Sequence, residues 1–110
     1  MAIRQQRLHE LGLASGFVVA STSVAALNVL RVGDIPHWDE IWWDFDIPSI
    51  GHDNDTTAIV AQAIAELIFH DVIDAADVPM CVIHTMNVVG RENLKAVFER
   101  WGISYREVWL

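Results

Sequence analysis

Two hydrophobic periods alternate along the chain. In 40–47, Glu-Ile-Trp-Trp-Asp-Phe-Asp-Ile, a period of two sends Ile41, Trp43, Phe45 and Ile47 to one face and Trp42, Asp44 and Asp46 to the other, as in a strand. In 56–70, Val60, Ile64, Leu67 and Ile68 repeat at helical spacing, and the alanines among them permit close approach to a sheet. Residues 80–85 form a mostly apolar run that reads as a buried strand. A helix over 91–101 follows, with Leu94, Val97, Phe98 and Trp101 as its buried stripe and Gly102 as its stop.

The flanks complete the series. Residues 17–20 are a short β-branched and aromatic strand, and Ser21, Thr22 and Ser23 offer a cap for a helix reaching about residue 30, closed by Gly33, Asp34 and Pro36. A polar loop spans 48–55. A linker with room for one helical turn spans 71–79, and 103–110 suits an edge strand. Residues 1–15 read as an N-terminal helix or arm, with Leu8 and Leu11 its main apolar positions and Gly12 a stop. The order after that arm is β-α-β-α-β-α-β. Such alternation predicts a single α/β domain over 1–110, a mostly parallel sheet of four to five strands flanked by helices through right-handed crossovers.

Composition narrows the partners. The 110 residues are 53% hydrophobic, enough for a core without disulfides or a structural metal, so no cofactor is required for folding. The net charge of −8, with Lys95 the single lysine, disfavours binding of duplex nucleic acid through its phosphates. Cys81, the single cysteine, lies in an apolar run and reads as a small core residue, with a reducing cytoplasmic setting as the default. Arg4 and Arg7 ahead of the apolar stretch 11–30 imitate a secretory leader. Gly12, Ser15, Gly16, Ser21, Thr22, Ser23 and Asn28 interrupt that stretch, so neither cleavage nor a membrane-spanning helix is expected.

Chemistry concentrates at 82–93, Val-Ile-His-Thr-Met-Asn-Val-Val-Gly-Arg-Glu-Asn, where a strand gives way to a helix. In open α/β sheets, strand carboxyl ends and helix amino ends converge at such junctions. Adjacent strands would bring Asp44 and Asp46 to face His84 there, with the loop carrying His52, Asp53 and Asp55 leaving the same edge. Two carboxylates one residue apart call for a cation, a donor or a shared proton. Arg91 opens a helix, where the dipole disfavours a cation, so an anion or a carboxylate such as Asp46 is its expected partner. The bland reading stands beside this one: Asn87 and Gly90 serve the turn, and His84 is a hydrogen-bonded core-edge histidine.

The runs Trp43-Asp44-Phe45-Asp46 and His84-Thr85-Met86-Asn87-Val88-Val89-Gly90 resemble the cyclic-phosphate processing receiver-like domains, which pair an Asp-His-Asp strand end with a His-Ser-x-Asn-Pro-x-Gly motif. The resemblance implies a three-layer, receiver- or flavodoxin-like fold acting on a small phosphorylated ligand or nucleotide end. By that resemblance Asp44, Asp46, His84, Asn87 and Gly90 match the family's motif positions; the site expected here takes Asp44, Asp46 and His84 for catalysis, Thr85, Asn87, Gly90 and Arg91 for phosphate binding, and Asp44 and Asp46 for an Mg²⁺ or Mn²⁺ ion. Phe45 stands in place of the family's histidine and Val88 in place of its proline, and no acidic pair precedes Phe17. Those departures suit an alternative: an inactive interaction module, the product of a phage or mobile element, forming a homodimer or engaging a protein through an exposed tryptophan among Trp38, Trp42, Trp43, Trp101 and Trp109.

Overall fold

The computed structural model describes residues 1–4, 17–20, 22–31, 33, 35–44, 56–85 and 87–108. Five strands, β1 (Ala2–Arg4), β2 (Phe17–Val19), β3 (Glu40–Trp43), β4 (Met80–Ile83) and β5 (Tyr105–Glu107), form one sheet in the order β2-β1-β3-β4-β5. β1 is antiparallel to both β2 and β3, whereas β4 is parallel to β3 and β5. Four strands therefore share one direction and β1 alone among them opposes it. The α/β class and the mostly parallel sheet agree with the pattern of the chain.

The first strand corrects the expectation of an N-terminal helix or arm. Ala2–Arg4 sits second in the sheet, and Ile3 is fully buried between Val18 and Ile41 in register. Three residues are too few to display a period, so only the pairing reveals them. The remainder of the expected arm, including Leu8, Leu11 and Gly12, lies outside the described residues.

Three helices follow their sequence signals. In α1 (Ser23–Val29), Thr22 is the cap, its hydroxyl accepting from the Ala25 amide at 3.0 Å. Helix α2 (Thr57–Phe69) buries Val60, Ala61, Ile64 and Ala65. Helix α3 (Val88–Trp101) begins three residues before the expected start, because the Asn87 side chain accepts from the Gly90 amide at 2.9 Å and so draws Val88 and Val89 into the first turn. It ends on Gly102 at φ 70°, whose N–H donates to the Phe98 carbonyl. A 3-10 turn, Ala75–Asp77, occupies the linker before β4.

Register decides which face of the sheet is packed. Ile3, Ile41, Cys81 and Tyr105 form one row across β1, β3, β4 and β5, and Trp43, Ile83 and Glu107 form another on the same side. Helix side chains Ala26, Val60, Ile64, Leu94 and Phe98 belong to the same cluster as Ile3, Ile41, Trp43, Cys81 and Ile83. Phe98 is pivotal: its ring meets Trp43 edge-on at 5.3 Å and Tyr105 at 5.9 Å. Each fully buried side chain of this size contributes roughly 1.5–3 kcal/mol. The connections β2 to β3, β3 to β4 and β4 to β5 all step the same way across the sheet, so right-handed crossovers place α1, α2 and α3 on one side. A three-layer arrangement calls for helices on both faces. Among the described residues they form one layer.

The second face carries a different row, Ala2, Trp42, Val82 and Arg106, flanked by Glu40 and Met80. Arg106 reaches across β4: its guanidinium lies 5.6 Å from the Trp42 ring centroid and 3.3 Å from Glu40. That span passes over Val82 and helps to explain how Val82 is fully buried on a face without a described helix.

Candidate functional site

Parallel pairing of β3 with β4 brings the carboxyl end of one beside that of the other. The ladder continues one step beyond the strands, with the His84 amide donating to the Trp43 carbonyl at 3.1 Å. His84 and Asp44 therefore leave the sheet together, on the face of Trp42. Nδ1 of His84 lies 3.5 Å from Oδ1 of Asp44, and the imidazole meets the Trp42 ring edge-on at 5.4 Å. His84 is about one-fifth exposed and Asp44 nearly half. A separation of 3.5 Å is longer than an ordinary hydrogen bond, but it is short enough for a small side-chain rotation to close. Nε2 is the ring nitrogen left for exchange with a ligand once Nδ1 is turned toward Asp44.

Asp46, the second carboxylate expected here, lies outside the described residues, as do Phe45, His52, Asp53, Asp55 and Trp109. Among the described residues no group of three or more His, Cys, Asp or Glu side chains could hold a metal ion. Of the two carboxylates expected to hold an Mg²⁺ or Mn²⁺ ion, Asp44 is described and Asp46 is not.

The expected phosphate-binding residues have internal duties. The Thr85 hydroxyl accepts from the Asn87 amide at 3.2 Å, and Asn87 in turn caps α3 through Gly90. Thr85 and Gly90 are both buried. Arg91 is 2% exposed, and its guanidinium is directed inward. Nη2 donates to the Thr85 carbonyl at 2.7 Å and the Val108 carbonyl at 3.0 Å, while Nη1 reaches the Ile83 carbonyl and the Glu107 carboxylate, each at 3.4 Å. Arg91 meets a carboxylate, as its place at a helix start suggested, and among the described residues that carboxylate is Glu107, on the neighbouring strand; Asp46 lies outside the described residues. A buried guanidinium needs that many acceptors to offset lost hydration.

Sequence reasoning missed Glu107 and Val108 as partners of the junction, and Trp42 and Arg106 as its neighbours on the second face. Period two already placed Trp42 on the face of Asp44. Nothing local connects residue 107 with residue 91; only the β4–β5 pairing does. Of the tryptophans, Trp43 is fully buried and Trp38, Trp42 and Trp101 are half-buried. The exposed large apolar side chains among the described residues include Ile59, Phe69, Val88 and Val89 instead. No described helix is long and apolar enough to cross a membrane.

Comparison with known proteins adds no assignment. No protein-family model, curated protein or solved structure matches the chain.

Proposed function

We propose that the chain is a receiver-like α/β domain whose Asp44–His84 pair performs acid–base chemistry on a small phosphorylated ligand, with a cyclic-phosphate nucleotide end as the substrate class. The observation that carries this reading is the 3.5 Å approach of Asp44 to His84 at the carboxyl ends of adjacent parallel strands. The spatial order 2-1-3-4-5 supports the flavodoxin-like part of it, with β1 reversed. In hydrolysis of a cyclic phosphodiester, Nε2 of His84 takes a proton from the attacking water while Asp44 stabilises the imidazolium. Water oxygen bonds to phosphorus, one ring P–O bond breaks, and the departing ribose oxygen receives the proton that His84 took from water, which returns the imidazole to its neutral form. The Arg91 guanidinium is committed to carbonyl groups and the Gly90 and Arg91 amides to Asn87, so this reading takes the Val88 and Val89 amides at the start of α3 as the donors to the phosphate.

Turnover of 2′,3′-cyclic nucleotides, with and without Mg²⁺ or Mn²⁺, tests the reading. Native protein is expected to open the ring and His84→Ala to lose that activity. A folded protein that neither binds nor turns over any member of the panel sinks it, as does a His84→Ala variant of undiminished activity.

A second reading, an inactive interaction module, is favoured by one observation: Thr85, Asn87, Gly90 and Arg91 all satisfy the junction's own backbone. Light scattering showing a dimer, together with silence across the nucleotide panel, would select it.

A further inference from the structure

The buried guanidinium of Arg91 makes a contact pattern that packing alone does not require. Its Nη2 holds the carbonyl of Thr85 at 2.7 Å and its Nη1 reaches the carbonyl of Ile83 at 3.4 Å. Those two residues lie on either side of His84. A guanidinium is a rigid planar fork, so bonds to both carbonyls restrain the peptide group before His84 and the one after Thr85, which bracket the two residues between them. The His84 amide is held as well, by the Trp43 carbonyl at 3.1 Å. Little backbone freedom is left to the residue, and its imidazole is directed between Asp44 and Trp42. The far side of the fork is anchored on β5, through the Val108 carbonyl at 3.0 Å and Glu107 at 3.4 Å.

We infer that Arg91 is the positioning residue for His84: by clamping the carbonyls that flank it, the buried guanidinium aims the imidazole at Asp44. This rests on the reading of the Asp44–His84 pair given above, and it assigns Arg91 no contact with a ligand. Lysine in its place supplies a point charge that cannot restrain both carbonyls in one plane.

The test is a double-mutant comparison read by the imidazole nitrogen resonances of His84 at one pH, assigned with His84→Gln. In the native background, Asp44→Asn displaces the Nδ1 resonance. In Arg91→Lys, whose fold is checked by circular dichroism and thermal melting, that displacement is lost. Arg91→Gln, which buries no ammonium group, gives the same loss should the lysine variant fail to fold. Glu107→Gln removes the negative charge but leaves both carbonyl contacts, and it retains the displacement. Equal displacement with and without Arg91 overturns the inference. So does its loss in Glu107→Gln, which would make the carboxylate the orienting group. No displacement in the native background removes the Asp44–His84 pairing itself. These resonances do not depend on turnover, so a silent nucleotide panel with the coupling intact sinks the reaction and leaves the positioning role standing.

Discussion

Replacing Arg91 with methionine keeps most of the volume of its stem and deletes the guanidinium, which isolates the polar network at the β4–α3 junction. Two of its contacts are short, to Thr85 at 2.7 Å and Val108 at 3.0 Å, and two are long, to Ile83 and Glu107 at 3.4 Å. The Ile83 carbonyl keeps a partner without Arg91, since the Val108 amide donates to it at 2.8 Å. The Thr85 and Val108 carbonyls lose a charged donor, and each buried acceptor left unsatisfied costs roughly 1–3 kcal/mol. Breaking a buried charged network from one side costs about 3–5 kcal/mol in all. A chain of 110 residues is stable by about 5–15 kcal/mol, so the loss is about a fifth or more of the whole. Glu107→Gln removes the charge of a partner that is 27% exposed while keeping an amide oxygen to accept, and solvent screening holds that cost to about 1 kcal/mol or less. In urea, with a slope of about 2 kcal/mol/M, Arg91→Met should move the midpoint down by roughly 1.5–2.5 M and Glu107→Gln by less than about 0.5 M. Equal shifts in the two variants would refute the reasoning, because the carbonyl contacts would then carry no more than an exposed ion pair.

Asn87→Ala removes the acceptor for the Gly90 amide and should cost about 1 kcal/mol in denaturant unfolding, whereas Asn87→Asp should cost little, since it keeps the acceptor and adds favourable charge at the helix start. Gly102→Ala should cost about 1–2 kcal/mol in thermal melting for its φ of 70° alone, because the added Cβ would meet only Ala75 at an ordinary 3.9 Å; Gly33→Ala, with open space around it, should be near neutral. Burial pushes the Cys81 thiol up to about 12 from its ordinary value of about 9, against a smaller opposing contact with Trp43. The folded state holds that proton more tightly, so its stabilisation is complete below pH 9 and is lost as pH rises from about 9 to about 12, by roughly 1.4 kcal/mol per unit. Tyr105, whose hydroxyl donates to Glu99, is also held up to about 12 from its ordinary value of about 10 and acts in the upper part of that window, so the check is a shallower alkaline decline in Cys81→Ala than in native protein, beginning near pH 9.

Much of the architecture is legible as local pattern. Helix α2 is readable because Val60 and Ile64 repeat on one face, α1 because Thr22 stands at its start, and the end of α3 because Gly102 adopts a conformation that other residues avoid. The pairing of His84 with Asp44 follows from a short chain of inference: period two directs Asp44 to one face, and parallel neighbours align their carboxyl ends. What misleads is Arg91. A cation at the first turn of a helix reads as a ligand for an anion, and no sequence pattern shows that its side chain turns back under the strand.

The division has a physical cause. Period, caps and stops are properties of a few consecutive residues, so the amino-acid order by itself determines the α/β class, the described helices and the strand-to-helix junction at His84. Contacts between distant segments depend on which strands pair and in which direction. Only the tertiary structure could therefore insert Ala2–Arg4 against the run of the sheet, set the described helices on one face and join Arg91 to Glu107 and Val108 across sixteen and seventeen positions of chain. The candidate chemistry sits where the two kinds of information meet, with Asp44 and His84 legible in the chain and the buried guanidinium beneath them visible only in the fold.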